Sequence, residues 1–377
     1  MREMTFCVPC LFGVEGLVAQ ELRDMGLEQV QAENGRVLFS GGWEAMVRAN
    51  LCCRFGERVL LLLGEFPARS FEELFQGVKA LPWEGLLGKE DAFPVTGSSL
   101  SSQLHSVPDC QAIIKKAIVE RLKAKYKLSW FAESGALHRV RFRILKDQVS
   151  VLVDTSGEGL HKRGYRALSN DAPMKETLAA SLCQLSRLRQ DGHLIDPFCG
   201  SGTILIEGAL LARNIAPGLG RAFTAESWGS VPGQLWQQER ERARSLERRD
   251  TGFTAQGFDV DPAAVELTLA NAQKAGVEDC ITASVRDVRD FTQEGPYGCV
   301  VCNPPYGERL LDVRQAQELY RALGQVFQPR RGWSLGVISP DPEFESLFGR
   351  KADKRRKLYN GMIQCQYYQY FRGSDKR

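Results

Sequence analysis

Five short apolar runs in the second half of the chain stand too far apart to be joined as hairpins: Leu194-Ile195, Ala255 to Phe258, Ile281 to Ser284, Cys299 to Cys302, and Ser334 to Ile338. Helical stretches fill three of the gaps, at Ile204 to Ala212, Pro262 to Ala275 and Ala316 to Phe327. Strands separated by helices pair in parallel, because a parallel pair needs a crossover of about a dozen residues or more. From about Ser156 the chain is therefore expected to form a doubly wound α/β sheet, with ligands at the carboxyl ends of its strands. A polar stretch between Arg213 and Gly252, holding Trp228, Trp236 and a charged helical run from Gln237 to Arg249, interrupts this pattern without a legible role.

The first half reads differently. Strand-like Phe6-Cys7-Val8, helical Gly16 to Met25, strand-like Val37-Leu38-Phe39, helical Trp43 to Leu51 and strand-like Glu57 to Leu63 suggest a small α+β module over 1–65. A second module, 66–155, carries a helix at Phe71 to Ala80, a strand near Phe93-Pro94-Val95 and a long basic helix from about Asp109 to Tyr126. Strands at His138 to Ile144 and Gln148 to Asp154 follow, with Lys146-Asp147 as the turn between them. A length of 377 residues fits two or three such domains.

No apolar run reaches the ~18 residues of a membrane span, and the N-terminal residues lack the pattern of a secretory signal, so a cytoplasmic protein without a membrane partner is expected. The eleven cysteines include two CxxC pairs, Cys7/Cys10 and Cys299/Cys302. Both fall in strands, where positions i and i+3 point to opposite faces. Core packing is expected rather than a metal site.

Net charge is only +3, but the basic residues cluster. Lys115, Lys116, Arg121, Lys123, Lys125 and Lys127 form one group; Lys162, Arg163 and Arg166 a second; Arg350, Lys351, Lys354, Arg355, Arg356 and Lys357 a third. One cluster is ordinarily a solvated face. Three in a near-neutral chain favour a nucleic-acid partner, because local patches attract phosphates.

Four motifs carry the chemistry. Asp196-Pro-Phe-Cys-Gly-Ser-Gly-Thr203 lies between a strand and a helix, and its glycines let the backbone turn sharply and approach a ligand. Leu205 stands where a dinucleotide fingerprint needs its third glycine, and no GK[ST] follows, which excludes a P-loop. An acid leading into the turn suits a ligand with an ammonium and a sulfonium better than a pyrophosphate. In Phe258-Asp-Val-Asp-Pro262, Asp259 at the strand tip can accept from ribose hydroxyls, and Asp261 is expected to cap the helix starting at Pro262. Asp287, after the third strand, either accepts from an adenine amino group or is a plain loop aspartate.

The strongest motif is Asn303-Pro-Pro-Tyr306-Gly-Glu-Arg309, directly after the run Cys299 to Cys302. A base amino group is a poor nucleophile because its lone pair is delocalised into the ring. The Asn303 side-chain oxygen and the Pro304 carbonyl can hold its two hydrogens and free the lone pair, while Pro304 and Pro305 fix the backbone. Tyr306 offers a flat face to a base drawn out of its stack.

These residues resemble the class I adenosylmethionine-dependent N-methyltransferases. With Leu160-His-Lys-Arg-Gly-Tyr-Arg166, Ala172-Pro-Met-Lys-Glu-Thr-Leu-Ala179, Asn214-Ile-Ala-Pro-Gly218 and Asn303 to Leu310, they look like the bacterial THUMP-domain methyltransferases that form N2-methylguanine in 23S rRNA. Phe12 to Leu17 resembles the ferredoxin-like start of that family, Ser106 to Lys116 its THUMP segment, and the stretches Gly349-Arg-Lys and Lys354 to Gly361 also fit.

The resemblance implies a Rossmann-like class I methyltransferase domain over 156–377, preceded by a ferredoxin-like domain over 1–65 and an RNA-gripping THUMP domain over 66–155. It implies S-adenosylmethionine (SAM) as cofactor, held at its methionine and sulfonium end by Asp196, Phe198, Gly200, Gly202 and Thr203. Asp259 and Val260 are implied at the ribose, Asp287 at adenine, and Asn303 to Tyr306 at the target base, with Asn303 also bordering the cofactor. The segment Ala172 to Thr177 borders it as well. Lys115, Lys116, Lys162, Arg163, Arg166 and Arg309 are the expected RNA contacts. No metal is implied; the partner is 23S rRNA or a partly assembled large-subunit particle. Because the chain is shorter than the fused members with two methyltransferase domains, one modification activity is expected. An adenine-N6 DNA methyltransferase shares the Asn-Pro-Pro-Tyr motif, and a catalytically silent ribosome-assembly factor is the other alternative. An NAD-dependent enzyme fits least, for want of the third glycine.

Overall fold

The computed structural model describes residues 3–166, 174–306, 313–327 and 331–371. Its contacts group into two compact units that interleave along the chain. Met1–Cys10, Val18–Leu160 and Ala222–Glu241 make the first, and Leu11–Leu17, His161–Arg221 and Arg242–Arg377 the second.

The first unit contains β1 (Met4–Pro9), α1 (Glu15–Asp24, shared at Leu17/Val18), β2 (Glu28–Glu33), β3 (Arg36–Gly41), α2 (Trp43–Cys52), β4 (Leu60–Pro67), α3 (Phe71–Ala80), β5 (Val95–Leu100), α4 (Val107–Tyr126), β6 (Val140–Leu145) and β7 (Gln148–Asp154). Its strands form one sheet in the order β2-β3-β1-β4-β7-β6-β5. β4 pairs antiparallel with β1 on one side and β7 on the other, so a single sheet runs through both N-terminal modules. Lys146 and Asp147 both have positive φ, +50° and +62°, as a two-residue hairpin of the primed type requires.

The polar insertion supplies buried aromatic rings to this unit. Trp228 is 1% exposed, stacks on His138 at 4.4 Å between ring centroids, and donates its indole N–H to the Leu137 carbonyl at 3.0 Å. Trp236, also buried, stacks on Phe223 at 5.2 Å. The charged run is helical, α7 (Gly233–Ser245).

The second unit contains α5 (Glu176–Leu185), β8 (His193–Asp196), α6 (Thr203–Ala212), β9 (Thr254–Asp259), α8 (Pro262–Ala275), β10 (Ile281–Val285), β11 (Gly298–Cys302), α9 (Val313–Val326), β12 (Trp333–Ser339), α10 (Phe344–Phe348), β13 (Lys354–Asn360) and β14 (Ile363–Phe371). The sheet order is β10-β9-β8-β11-β12-β14-β13. β10 to β12 pair in parallel through β9, β8 and β11, and β14 joins β12 antiparallel. The order reverses between β8 and β11, and this switch point is where a doubly wound sheet opens a crevice at its carboxyl edge. Asp261 accepts from the Ala263 N–H at 2.9 Å and Pro262 starts α8, as the sequence predicts.

Cys7, Cys299 and Cys302 are buried in the cores of their sheets. Burial pushes Cys7 up to about 12 and Cys299 up to about 11. No helix among the described residues is long and apolar enough to cross a membrane.

Candidate active site

β8 ends in Asp196, which is 1% exposed, and its carboxylate accepts the Phe198 N–H at 3.0 Å. Burial, reinforced by the Asp259 charge, raises this carboxyl to about 8. A buried acid with one backbone donor and a second acid nearby lacks a countercharge, so the site suits the cationic end of a ligand.

The glycine turn is held from two sides. Gly200 donates its N–H to Asp259 Oδ2 at 3.0 Å, and Asp261 donates to Asp259 Oδ1 at 3.0 Å. Each carboxylate oxygen has two acceptor directions, so Asp259 is fixed by the turn while keeping capacity for a ligand's hydroxyls. From α8, Thr268 donates to the Gly200 carbonyl at 2.9 Å and Asn271 to the Ser201 carbonyl at 3.0 Å. Neither residue was singled out in the sequence. Their signal is two polar side chains three apart on the buried face of α8, at 0% and 1% exposure.

Gly202 has φ +77°, and a Cβ there would lie 2.8 Å from Thr268 Cγ2 and 3.2 Å from its Cα. Gly202→Val is expected to destabilise the protein by about 2–4 kcal/mol through strain and overlap, and to remove cofactor binding. Thermal denaturation and SAM titration check this. A variant with wild-type stability and affinity would show that the turn tolerates a side chain.

Val260 is 64% exposed beyond Asp259, and Val285 is 55% exposed at the end of β10, which aligns with Asp259 in the pairing register. Two exposed apolar side chains at neighbouring strand tips can flank a flat ring. The sequence reading included Val260 and passed over Val285. Asp287 accepts from the Arg289 N–H at 2.8 Å and pairs with its guanidinium at 3.0 Å, so it caps its own turn.

On β11, the adjacent parallel strand, the chain leaves the sheet at Asn303. Pro304 is buried, and Asn303, Pro305 and Tyr306 are half-buried. The Tyr306 hydroxyl donates to Asn303 Oδ1, which leaves one acceptor direction on that oxygen. Asn360 donates to the Tyr306 hydroxyl at 3.4 Å, and the Cys365 thiol lies 3.9 Å from it. Burial first, then Cys365, pushes the phenol well above its usual value, so it stays protonated and able to donate. The ring is thus pinned by its hydroxyl. Arg309, Ala172 and Pro173 lie outside the described residues.

Two expected phosphate contacts are drawn inward instead. Arg163 is 5% exposed and pairs with buried Glu207 at 3.4 Å. Arg166 donates to Thr203 Oγ1 at 2.6 Å and the Met174 carbonyl at 3.1 Å, and pairs with Glu176 at 3.4 Å. It braces the start of α6 rather than facing solvent. Lys115 is held by Glu133 at 2.5 Å and sits over the Phe93 ring at 3.6 Å. Lys116 and Lys162 are exposed. Sequence proximity cannot separate these cases, because a buried ion pair and a surface patch use the same residue types.

Known proteins are similar to this chain in sequence and fold. The RMKL-like methyltransferase domain matches residues 163–369, the RlmL ferredoxin-like domain residues 5–60 and the THUMP domain residues 68–154. YpsC of Bacillus subtilis, provisionally named an RNA methyltransferase, is 43% identical over 98% of this chain and 97% of its own length. The ribosomal RNA large subunit methyltransferase K/L of Psychromonas ingrahamii is 35% identical over 99% of this chain, which spans 51% of that protein. The solved structure of SMU.472, provisionally named a methyltransferase and complexed with SAH, matches with a TM-score of 0.94 at 41% identity over 100% of both chains. A Listeria monocytogenes structure named as a predicted N6-adenine-specific DNA methylase matches with a TM-score of 0.94 at 44% identity, over 98% of this chain and 97% of its own. The methyltransferase match alone covers more than half of the residues, and the chain belongs to the RMKL-like methyltransferases, with ferredoxin-like and THUMP domains preceding a class I methyltransferase domain.

Proposed function

We propose that the protein is a SAM-dependent RNA methyltransferase that methylates the exocyclic N2 of a guanine in 23S rRNA, as naked RNA or in a partly assembled large-subunit particle, in the cytoplasm. The observation that carries this reading is the pairing of β8 with β11 at the reversal of the sheet. It sets the acid-and-glycine turn of one strand beside the Asn-Pro-Pro-Tyr turn of the other. The THUMP match and the RNA named for YpsC and for the K/L relative support RNA over DNA. We keep 1–65, 66–155 and 156–377 as the modules along the sequence.

In this reading Asp196, Phe198, Gly200, Gly202 and Thr203 hold the methionine end of SAM, and Asp196 finds there the countercharge it lacks in the fold itself. Asp259 takes the ribose hydroxyls and Val260 borders the sugar and base. Asp287 meets adenine through whichever acceptor direction its own cap leaves open. When bound, SAM supplies an electrophilic methyl group. Asn303 Oδ1 and the Pro304 carbonyl accept the two hydrogens of the target amine, and Pro305 keeps that backbone rigid. The amine's lone pair, no longer conjugated with its ring, is turned toward the methyl; most of the catalysis is orientation. Tyr306 holds Asn303 in place and gives the base a ring to lie against. Lys116, Lys162 and Arg309 remain proposed phosphate contacts, whereas Lys115, Arg163 and Arg166 act through the fold.

The name of the Listeria structure favours a second reading, adenine-N6 methylation of DNA. Radiolabelled SAM offered with purified rRNA, tRNA and genomic DNA, followed by nucleoside analysis, separates the two. Label in N2-methylguanosine from rRNA is expected. Label confined to N6-methyladenine in DNA would overturn the substrate and leave the roles around the cofactor standing.

A further inference from the structure

The last hairpin of the second unit carries features that the catalytic reading leaves unused. A two-residue turn, Gly361-Met362, joins β13 to β14, with Asn360 paired to Ile363. Gly361 has φ +64°, as the first central position of a tight hairpin turn of the mirror-image kind requires, so the tip is a stiff element rather than a loose loop. On it Met362 is 95% exposed, more than any other large apolar side chain among the described residues. A lone exposed apolar residue is ordinary on a protein surface. This one is not placed at random, because Asn360 beside it donates to the Tyr306 hydroxyl at 3.4 Å.

The flanking surface is basic with aromatic rings among the charges. β13 is the edge strand, and Lys354, Arg355 and Lys357 are exposed on it. Arg355 is paired with Glu345, while the Lys357 ammonium lies 5.7 Å from the Tyr359 ring centroid. The segment Leu11–Leu17 belongs to this same unit: Arg356 donates to the Gly13 carbonyl at 2.5 Å, and neighbouring Phe12 is 58% exposed. Basic side chains on an edge strand also deter pairing with another chain. That accounts for the lysines but not for an apolar tip tied to the target-base motif.

We propose that this hairpin is a wedge for the RNA substrate. Met362 enters the base stack at the place the target guanine leaves, and the exposed basic side chains of β13, Lys357 nearest the tip, meet backbone phosphates farther along the RNA, with Phe12 beside that strand. Drawing a base from its stack carries a free-energy cost, and an apolar side chain filling the gap returns part of it. The inference rests on the reading of the site as one for an RNA base.

Single-turnover methylation by wild type, Met362→Ala and Met362→Leu tests it on two RNAs. One is a folded, protein-free 23S rRNA transcript; the other is a short single-stranded oligonucleotide around the nucleotide that wild type methylates. Met362→Ala is expected to lose about 10- to 100-fold in kcat/KM on the transcript, with SAM affinity unchanged and less than about threefold lost on the oligonucleotide, where no stack must open. Met362→Leu is expected to restore the transcript rate. Equal rates for wild type and Met362→Ala on the transcript, or equal losses on both RNAs, overturn the wedge. A wild-type protein that methylates no RNA removes the proposed function itself, a result distinct from an active wild type indifferent to position 362.

Discussion

Asn303→Ala is expected to slow methyl transfer by about 10²–10⁴-fold while SAM affinity stays within a few-fold of wild type. The amide oxygen of Asn303 keeps one acceptor direction beside its bond from the Tyr306 hydroxyl, and in the proposed function that direction receives the target amine. Removing it leaves the amine conjugated and unoriented, a loss felt in the chemical step and not in the binding of cofactor. Tyr306→Phe keeps the ring and removes the hydroxyl that pins Asn303, so a smaller loss of about tenfold is expected. Single-turnover rates with radiolabelled SAM, together with calorimetric SAM titration, read both effects. A folded Asn303→Ala protein that no longer binds SAM would sink the assignment of Asn303 to the target base.

The second large effect is electrostatic. Asp196→Asn is expected to weaken SAM binding by about 100-fold or more, because in the proposed function it removes a buried carboxylate that faces the cationic end of the ligand. The wild-type carboxyl sits at about 8, so below that pH binding must first expel a proton. Affinity should then fall about tenfold per pH unit between 8 and 6, and Asp196→Asn should flatten the slope. A plateau above 8 would assign the contact to the permanently charged sulfonium; a decline would assign it to the α-amino group, which itself titrates near 8.

Stability moves the opposite way. The folded-state value lies above that of a free aspartate, so the protonated form favours folding, and this contribution is lost as pH rises through about 8. Ligand-free Asp196→Asn should therefore melt higher than wild type, with a gap that is wider at pH 9 than at pH 5. A slope unchanged by the substitution, or a gap that narrows with pH, would show that another group titrates.

Much of this site was legible because its signals are local. An acid before a glycine turn, an acid at the next strand tip, a capping Asp261 and an asparagine before two prolines each state their geometry within a few residues. The two lysine-aspartate turn residues at 146 and 147 did the same for a hairpin. What escaped depends on partners far along the chain. β2, Glu-Gln-Val-Gln-Ala-Glu, is a polar edge strand with no buried face to impose a period. β13 read as a basic cluster because its apolar content is one buried residue, Leu358, and β14 hides its tyrosines among glutamines. α5 passed unread as a helix, recognised only as a motif. Arg163 and Arg166 carried the composition of a phosphate patch and turned out to answer Glu207, Glu176 and Thr203. The insertion gave no hint that Trp228 belongs with His138, about ninety residues earlier in the chain.

That last pairing sets a schedule for synthesis. The first unit takes in Ala222–Glu241, which the ribosome makes only after some eighty residues beyond Leu160 have been added. Trp228 is the 68th residue after Leu160, so at about 5–20 residues per second the sheet of the first unit waits roughly 3–14 s before the indole that covers His138 exists. Through that interval the nascent chain carries an uncovered imidazole and the apolar surface around it, and its N-terminal half cannot finish folding as an independent, first-out module.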